Sequence, residues 1–223
     1  VFHGAIPPEI GTIPSLEVLD LSGNGLEGHI PDDLYNATEL RVLRLGYNGL
    51  TGKLSSKMRK LTKLVVFDVG GNRISGEIPE QVGNLQNLET LILRDNELSG
   101  PLPAKLYHLK NLVEFDCSDN VLSGDLSPDV GKLTSLETLA IHQNEFEGAI
   151  PPELSQLENL STLKLHWNDF RGTAPDGLCD LDHLTSLYAD CGMTNFVEAP
   201  AVVCGCCTDC CDTEQKFCMD TGP

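Results

Sequence analysis

Leu88-Glu89-Thr90-Leu91-Ile92-Leu93-Arg94-Asp95-Asn96-Glu97-Leu98-Ser99-Gly100-Pro101-Leu102-Pro103 decides the fold. Aligned on Asn96, the same pattern returns every 24 residues, at Asn24, Asn48, Asn72, Asn120, Asn144 and Asn168, without a slip in register. The shared text is L-x-x-L-x-L-x-x-N-x-L followed by x-G-x-I-P. A fixed period of this length describes a solenoid, in which each repeat buries its apolar face only against its neighbours. One continuous core then runs along all 223 residues, and the choice between one and two globular domains falls away.

Each repeat opens with a short strand, such as Leu136-Glu137-Thr138-Leu139-Ala140-Ile141. Alternating apolar side chains point inward and their neighbours outward, so stacked repeats form one parallel sheet on one face. The asparagine turns the chain away from that sheet. Its amide both donates and accepts, which a buried turn with unpaired backbone groups needs. Seven such residues predict a ladder along the solenoid: Asn24, Asn48, Asn72, Asn96, Asn120, Asn144 and Asn168. An unbroken glycine column, from Gly4 through Gly100 to Gly172, marks a backbone position that other residues resist. Residues such as Val82 and Leu85, three apart, predict a short helical stretch on the convex side that depends on stacking.

The repeat resembles the leucine-rich repeat family in its plant-type, 24-residue extracellular form, over about residues 1–192. The resemblance implies a right-handed α/β superhelix, with a parallel β-sheet on its concave face and short helical or 3-10 turns on its convex face. It also implies a second short strand at the Ile-Pro segment, which twists the solenoid. Serine replaces that proline at Ser55 and Ser127, so the twist or the pairing is expected to weaken there. The chain divides into a truncated first repeat (1–14), seven 24-residue repeats (15–183), and a last strand with a cysteine-rich C-terminal cap (184–223). Phe2, Gly4 and Ile6 align with Leu26, Gly28 and Ile30, halfway through a repeat. Because solenoid ends need caps, a fragment or processed form of a longer chain is expected.

A net charge of −18 excludes the basic face that nucleic acid requires and disfavours anionic lipid. No stretch of 18 apolar residues is present, so membrane insertion by this fragment is not expected. Eight of nine cysteines fall late: Cys179, Cys191, Cys204, Cys206, Cys207, Cys210, Cys211 and Cys218. An even, clustered set predicts disulfides and an oxidising compartment, with the connectivity open. Zinc at Cys207-x-x-Cys210 is the alternative. Caps of this kind are common in extracellular members of the family, and this cluster looks like the secreted repeat proteins of diatoms and related algae. Cys117 occupies a core column and reads as a buried free thiol. Asn36-Ala37-Thr38 and Asn159-Leu160-Ser161 are glycosylation sequons, Asn36 on a convex loop and Asn159 tied against a strand.

Family members usually bind ligands on the concave sheet. Gly46, Gly70 and Gly71 leave its upper part bare. Its lower part is crowded and polar, with Asp116, Ser118, Asp119, His142, Gln143, Lys164, His166, Trp167 and Tyr188. Aromatic residues among charged ones make binding hot spots, although Trp167 folded over the cap onto Tyr188 is the competing reading. His142, His166 and Asp190 are column neighbours. A metal would suit such donors, but plain surface histidines are the expectation, and no metal or cofactor is assigned. The open sheet carries no Ser-His-Asp arrangement, phosphate loop or metal motif, so catalysis is not expected. The resulting expectation is a non-enzymatic extracellular recognition module binding a protein, peptide or glycan, receptor-like or inhibitor-like. The alternative is an adhesive matrix protein with an acidic, calcium-responsive surface. Oligomeric state is left open.

Overall fold

The computed structural model describes residues 1–191, 201–212 and 217–220. Every repeat places one short strand in a parallel sheet, from Val18–Asp20 and Val42–Arg44 through Thr90–Ile92 and Glu114–Asp116 to Thr162–Lys164 and Ser186–Ala189. The register follows the period, with Glu114 beside Thr90 on one side and Thr138 on the other. The middle residue of each inner strand (Leu43, Phe67, Leu91, Phe115, Leu139, Leu163) is buried, as a period of two requires. Two late strands lengthen this sheet to ten. Asp209–Asp212 runs parallel to Ser186–Ala189, and Phe217–Asp220 returns antiparallel to it. The cap is therefore a continuation of the concave sheet.

A second sheet of eight strands runs down one flank, from His3–Ala5 to Asp169–Phe170. Its strands precede the Ile-Pro segment: Glu97–Gly100 ends at Gly100, whose φ of +75° favours glycine. The strands before Ser55 and Ser127 keep their pairing, Thr51 with Arg73 and Ser123 with Glu145. Ser55 (φ −84°, ψ 139°) adopts the extended backbone of Pro79 (φ −71°, ψ 143°). Its hydroxyl then accepts from the Lys57 N–H, and that of Ser127 accepts from the Asp129 N–H. Serine thus keeps the geometry and adds a cap to the following turn that proline cannot supply. On the convex side the turns are 3-10 segments, mostly of five residues, such as Glu80–Asn84, anchored by buried Val82 and Leu85.

The asparagine ladder is continuous. Asn120 accepts from the Leu98 N–H at 2.8 Å, and its amide nitrogen donates to the carbonyls of Leu93, Cys117 and Ser118. The four equivalent partners recur two periods up the chain at Asn72 and one period down at Asn144. At the lower end the next asparagine is absent, since position 192 is glycine. Asp190 closes the ladder instead. In inner repeats the N–H groups equivalent to those of Trp167 and Asn168 donate to two carbonyls of the next coil, as Gln143 and Asn144 do to His166 and Trp167. Here both go to one carboxylate, Trp167 N to Oδ1 at 2.7 Å and Asn168 N to Oδ2 at 3.1 Å. Asp190 is 3% exposed, and burial pushes its acid up to about 6 against the pull of those two N–H groups.

Four bridges staple the cap: Cys179–Cys206, Cys191–Cys210, Cys204–Cys207 and Cys211–Cys218. Cys207 and Cys210, the pair with zinc spacing, belong to different bridges. Cys117 is buried and unbridged, and burial raises its thiol well above the ordinary value. Native protein is therefore expected to take up no thiol reagent, and denatured protein to take up one equivalent. A native thiol that titrates would mean that this core column opens.

Candidate functional site on the concave sheet

The concave face ends in two different surfaces. At the lower end the cap hairpin folds over the last coils. Cys211 is 1% exposed, and its bridge to Cys218 brings both sulfurs within 4.8 Å of the His166 imidazole. His166 is consequently only 6% exposed, with Nδ1 buried and without a hydrogen-bond partner among the described residues. His142 stacks on it with ring centroids 4.6 Å apart and an interplanar angle of 14°, and its Nδ1 is likewise buried without a partner. Trp167 meets His166 edge-on at 4.7 Å, and its indole N–H donates to the Asp212 carbonyl at 3.2 Å. Tyr188 lies 5.5 Å from the His166 ring, with the Lys164 ammonium 5.7 Å from its own ring.

Two sequence expectations are corrected by this arrangement. His166 and Ser118 are not surface residues, since Ser118 is 2% exposed and its hydroxyl donates to Asp116 Oδ1. Asp190, which follows the two histidines in the column, holds backbone N–H groups with both of its oxygens. Trp167 is tied to the cap through its indole N–H, and it remains half-buried and lines a hollow. The structure brings together Asp119, Gln143 and Trp167 around that hollow of about 640 Å³, which Glu145, Asp169 and Arg171 complete. Asp119 Oδ2 stands 3.9 Å from His142 Nε2.

Burial lowers the pKa of His142, while the carboxylates of Asp119 and Asp116 oppose the shift. At His166 burial again comes first, followed by His142 and Lys164, and the value falls to about 3. Both rings are therefore neutral near pH 7.

One feature escaped the sequence. Tyr47, Asp95, Asp119, Gln143 and Trp167 all have left-handed φ values between +52° and +58°. Glycine holds the equivalent places at Gly23 (+65°) and Gly71 (+67°), and these two glycines are the only sequence signal of the turn. The left-handed turn lifts the side chains of this column along the margin of the sheet, where three of them line the hollow.

A family model described as a leucine-rich repeat region matches residues 34–203, and a second, described as a leucine rich repeat, matches residues 15–37. No curated protein matches the chain in sequence. Among solved structures, a TDR receptor is 33% identical with a TM-score of 0.82, over 83% of this chain and 32% of that one. The ectodomain of the Arabidopsis receptor kinase HAESA, in complex with an extended IDA peptide hormone ligand, is 28% identical with a TM-score of 0.83. That match covers 98% of this chain and 38% of the other, so the chain spans about a third of either receptor structure. A plant ice-binding protein shares the architecture at 25% identity and a TM-score of 0.59, over 78% of this chain and 71% of that one. From its repeat, its ladder and these matches, the chain belongs to the leucine-rich repeat family, in its plant-type extracellular form.

Proposed function

We propose that the protein is a non-enzymatic, extracellular recognition module that binds a peptide or protein segment on the concave side. The observation that carries this is the hollow beside Trp167. There Asp119 and Gln143 rise from left-handed turns, and the indole is fixed by the Asp212 carbonyl. A half-buried, immobilised aromatic ring beside polar side chains loses little freedom on binding. Peptide-hormone complexes among the similar structures support a peptide over a glycan. Four disulfide bridges support an oxidising, extracellular setting. In that setting Asn36, exposed on the convex side, is the better glycan acceptor. The Asn159 amide nitrogen donates to the Thr134 carbonyl at 3.0 Å.

The test is a displayed peptide library selected against the protein, with binders re-measured on an Asp119→Gly, Gln143→Gly variant. Glycine accepts the same backbone conformation, so the fold is retained while the side chains go. Affinity is expected to fall at least about tenfold, the loss of one hot-spot contact. Binders indifferent to the change would place recognition elsewhere.

A further inference from the structure

We propose a second recognition subsite, at the upper end of the concave face, that takes an aromatic side chain of an extended peptide. It rests on the functional reading above only in taking the ligand to be a polypeptide. The sequence left this region bare, at Gly46, Gly70 and Gly71, but the structure builds a platform across it. The Tyr47 ring lies over Gly71: a Cβ added there would stand 2.8 Å from Tyr47 Cδ1. The Arg94 side chain crosses Gly70, where an added Cβ would stand 3.2 Å from Arg94 Cγ. Arg94 then donates to the Tyr47 hydroxyl, and its guanidinium carbon lies 5.8 Å from the ring centroid. Tyrosine and arginine from coils two apart are thus locked together over a glycine floor. Tyr47 nonetheless remains 58% exposed and the Arg94 side chain 45% exposed.

Nothing in the fold requires the tyrosine. Tyr47 has a φ of +55°, and two of its sister turns use glycine, Gly23 and Gly71. A bulky residue is disfavoured in that conformation, and a large exposed ring buries little in return. Glycine makes the same turn at Gly23 and Gly71, so forming it does not depend on the ring.

The polar groups select the ligand. Arg94 has donors to spare, because the nearest carboxylate oxygen, Asp116 Oδ2, is 4.0 Å away, beyond hydrogen-bonding distance. The local carboxylates are partly committed: Asp68 Oδ1 accepts from the Gly70 N–H, and Asp116 Oδ1 accepts from Ser118. The surface thus offers a π face and N–H donors. That suits an aromatic ring carrying an adjacent backbone carbonyl better than a sugar rich in hydroxyl donors.

The probe is N-acetyl-phenylalaninamide, titrated into ¹⁵N-labelled protein while the amide resonances of Gly46, Gly70 and Gly71 are followed. N-acetyl-leucinamide and methyl glucoside serve as comparators. Saturable shifts are expected with the aromatic amide, roughly fivefold weaker binding with leucinamide, the worth of one aromatic contact, and no response in Tyr47→Gly. Tyr47→Gly restores the residue of the sister turns and keeps the fold. The response is expected to survive Asp119→Gly, Gln143→Gly, which separates this subsite from the hollow near Trp167. No shift at millimolar probe, or an undiminished shift in Tyr47→Gly, would overturn the proposal. A response to the glucoside alone would overturn the peptide assignment in favour of a glycan.

Discussion

Replacing Asn120 by alanine is expected to lower the unfolding free energy by about 2–3 kcal/mol, the cost of one buried polar group left without a partner plus the lost packing. The estimate follows from which partners are orphaned. The Leu93 carbonyl also accepts from Asn96, the Cys117 carbonyl from Asn144, and the Ser118 carbonyl from the Asp95 N–H, so each keeps a second donor. The Leu98 N–H loses its acceptor, on a residue that is fully buried. Asn24→Ala is the internal control. Its Oδ1 accepts from the Phe2 N–H at the exposed end, where water replaces it, so the loss should stay under about 1 kcal/mol. Urea midpoints of the two variants decide the matter. Equal, small losses would mean that water reaches the ladder throughout. Because coils are stable only through their neighbours, a break at mid-solenoid is felt by the coils on both sides.

The contrast between ladder and site shows what a repeat makes legible. A period aligns the chain with itself, so each column is read several times over. The inward strand residues, the glycine column and the ladder all followed from that. The exposure of the concave residues did not. It depends on the cap hairpin, whose Cys211–Cys218 bridge covers His166 from 45 residues or more down the chain, a contact that no local pattern carries. Asp190 was hidden for a related reason. It stands two places before the expected asparagine and replaces two backbone carbonyls rather than an amide. The serine substitutions misled in the opposite direction. The absence of proline at Ser55 and Ser127 suggested a weaker segment, but extended backbone needs no proline when a hydroxyl caps the next turn. Side chains such as Tyr47, whose reach spans two coils to Arg94, lie between these extremes: the column is predictable, the contact is not.

Acidification sets two neighbouring buried groups against each other, and separating them is the second large effect. His166 has its pKa lowered from 6.5 to about 3, so the unfolded chain takes up the proton first. Its contribution to stability is complete above about pH 6.5 and is lost as the pH falls from there towards 3. At pH 5 the loss is about 2 kcal/mol, from 1.5 pH units at 1.36 kcal/mol each. His142 is shifted in the same direction and adds to it. Asp190 has the opposite sign. Its pKa is raised from 3.8 to about 6, so burying the ionised acid costs stability above pH 6, and that cost is relieved as the pH falls towards 4. Between pH 7 and 5 the relief is about 1 kcal/mol by the same linkage, which partly masks the histidines. The rest of this acidic surface is common to all variants, so differences in slope isolate the pair. His166→Phe, which keeps a ring under the cap disulfide, should gain stability relative to wild type on going from pH 7 to pH 5. Asp190→Asn, which cannot ionise, loses the relief that wild type gains and should fall relative to wild type over the same interval. Chemical denaturation of the three proteins at the two pH values gives the slopes. Parallel pH profiles would show that neither group is held in the buried, shifted state that the cap and the end of the ladder impose.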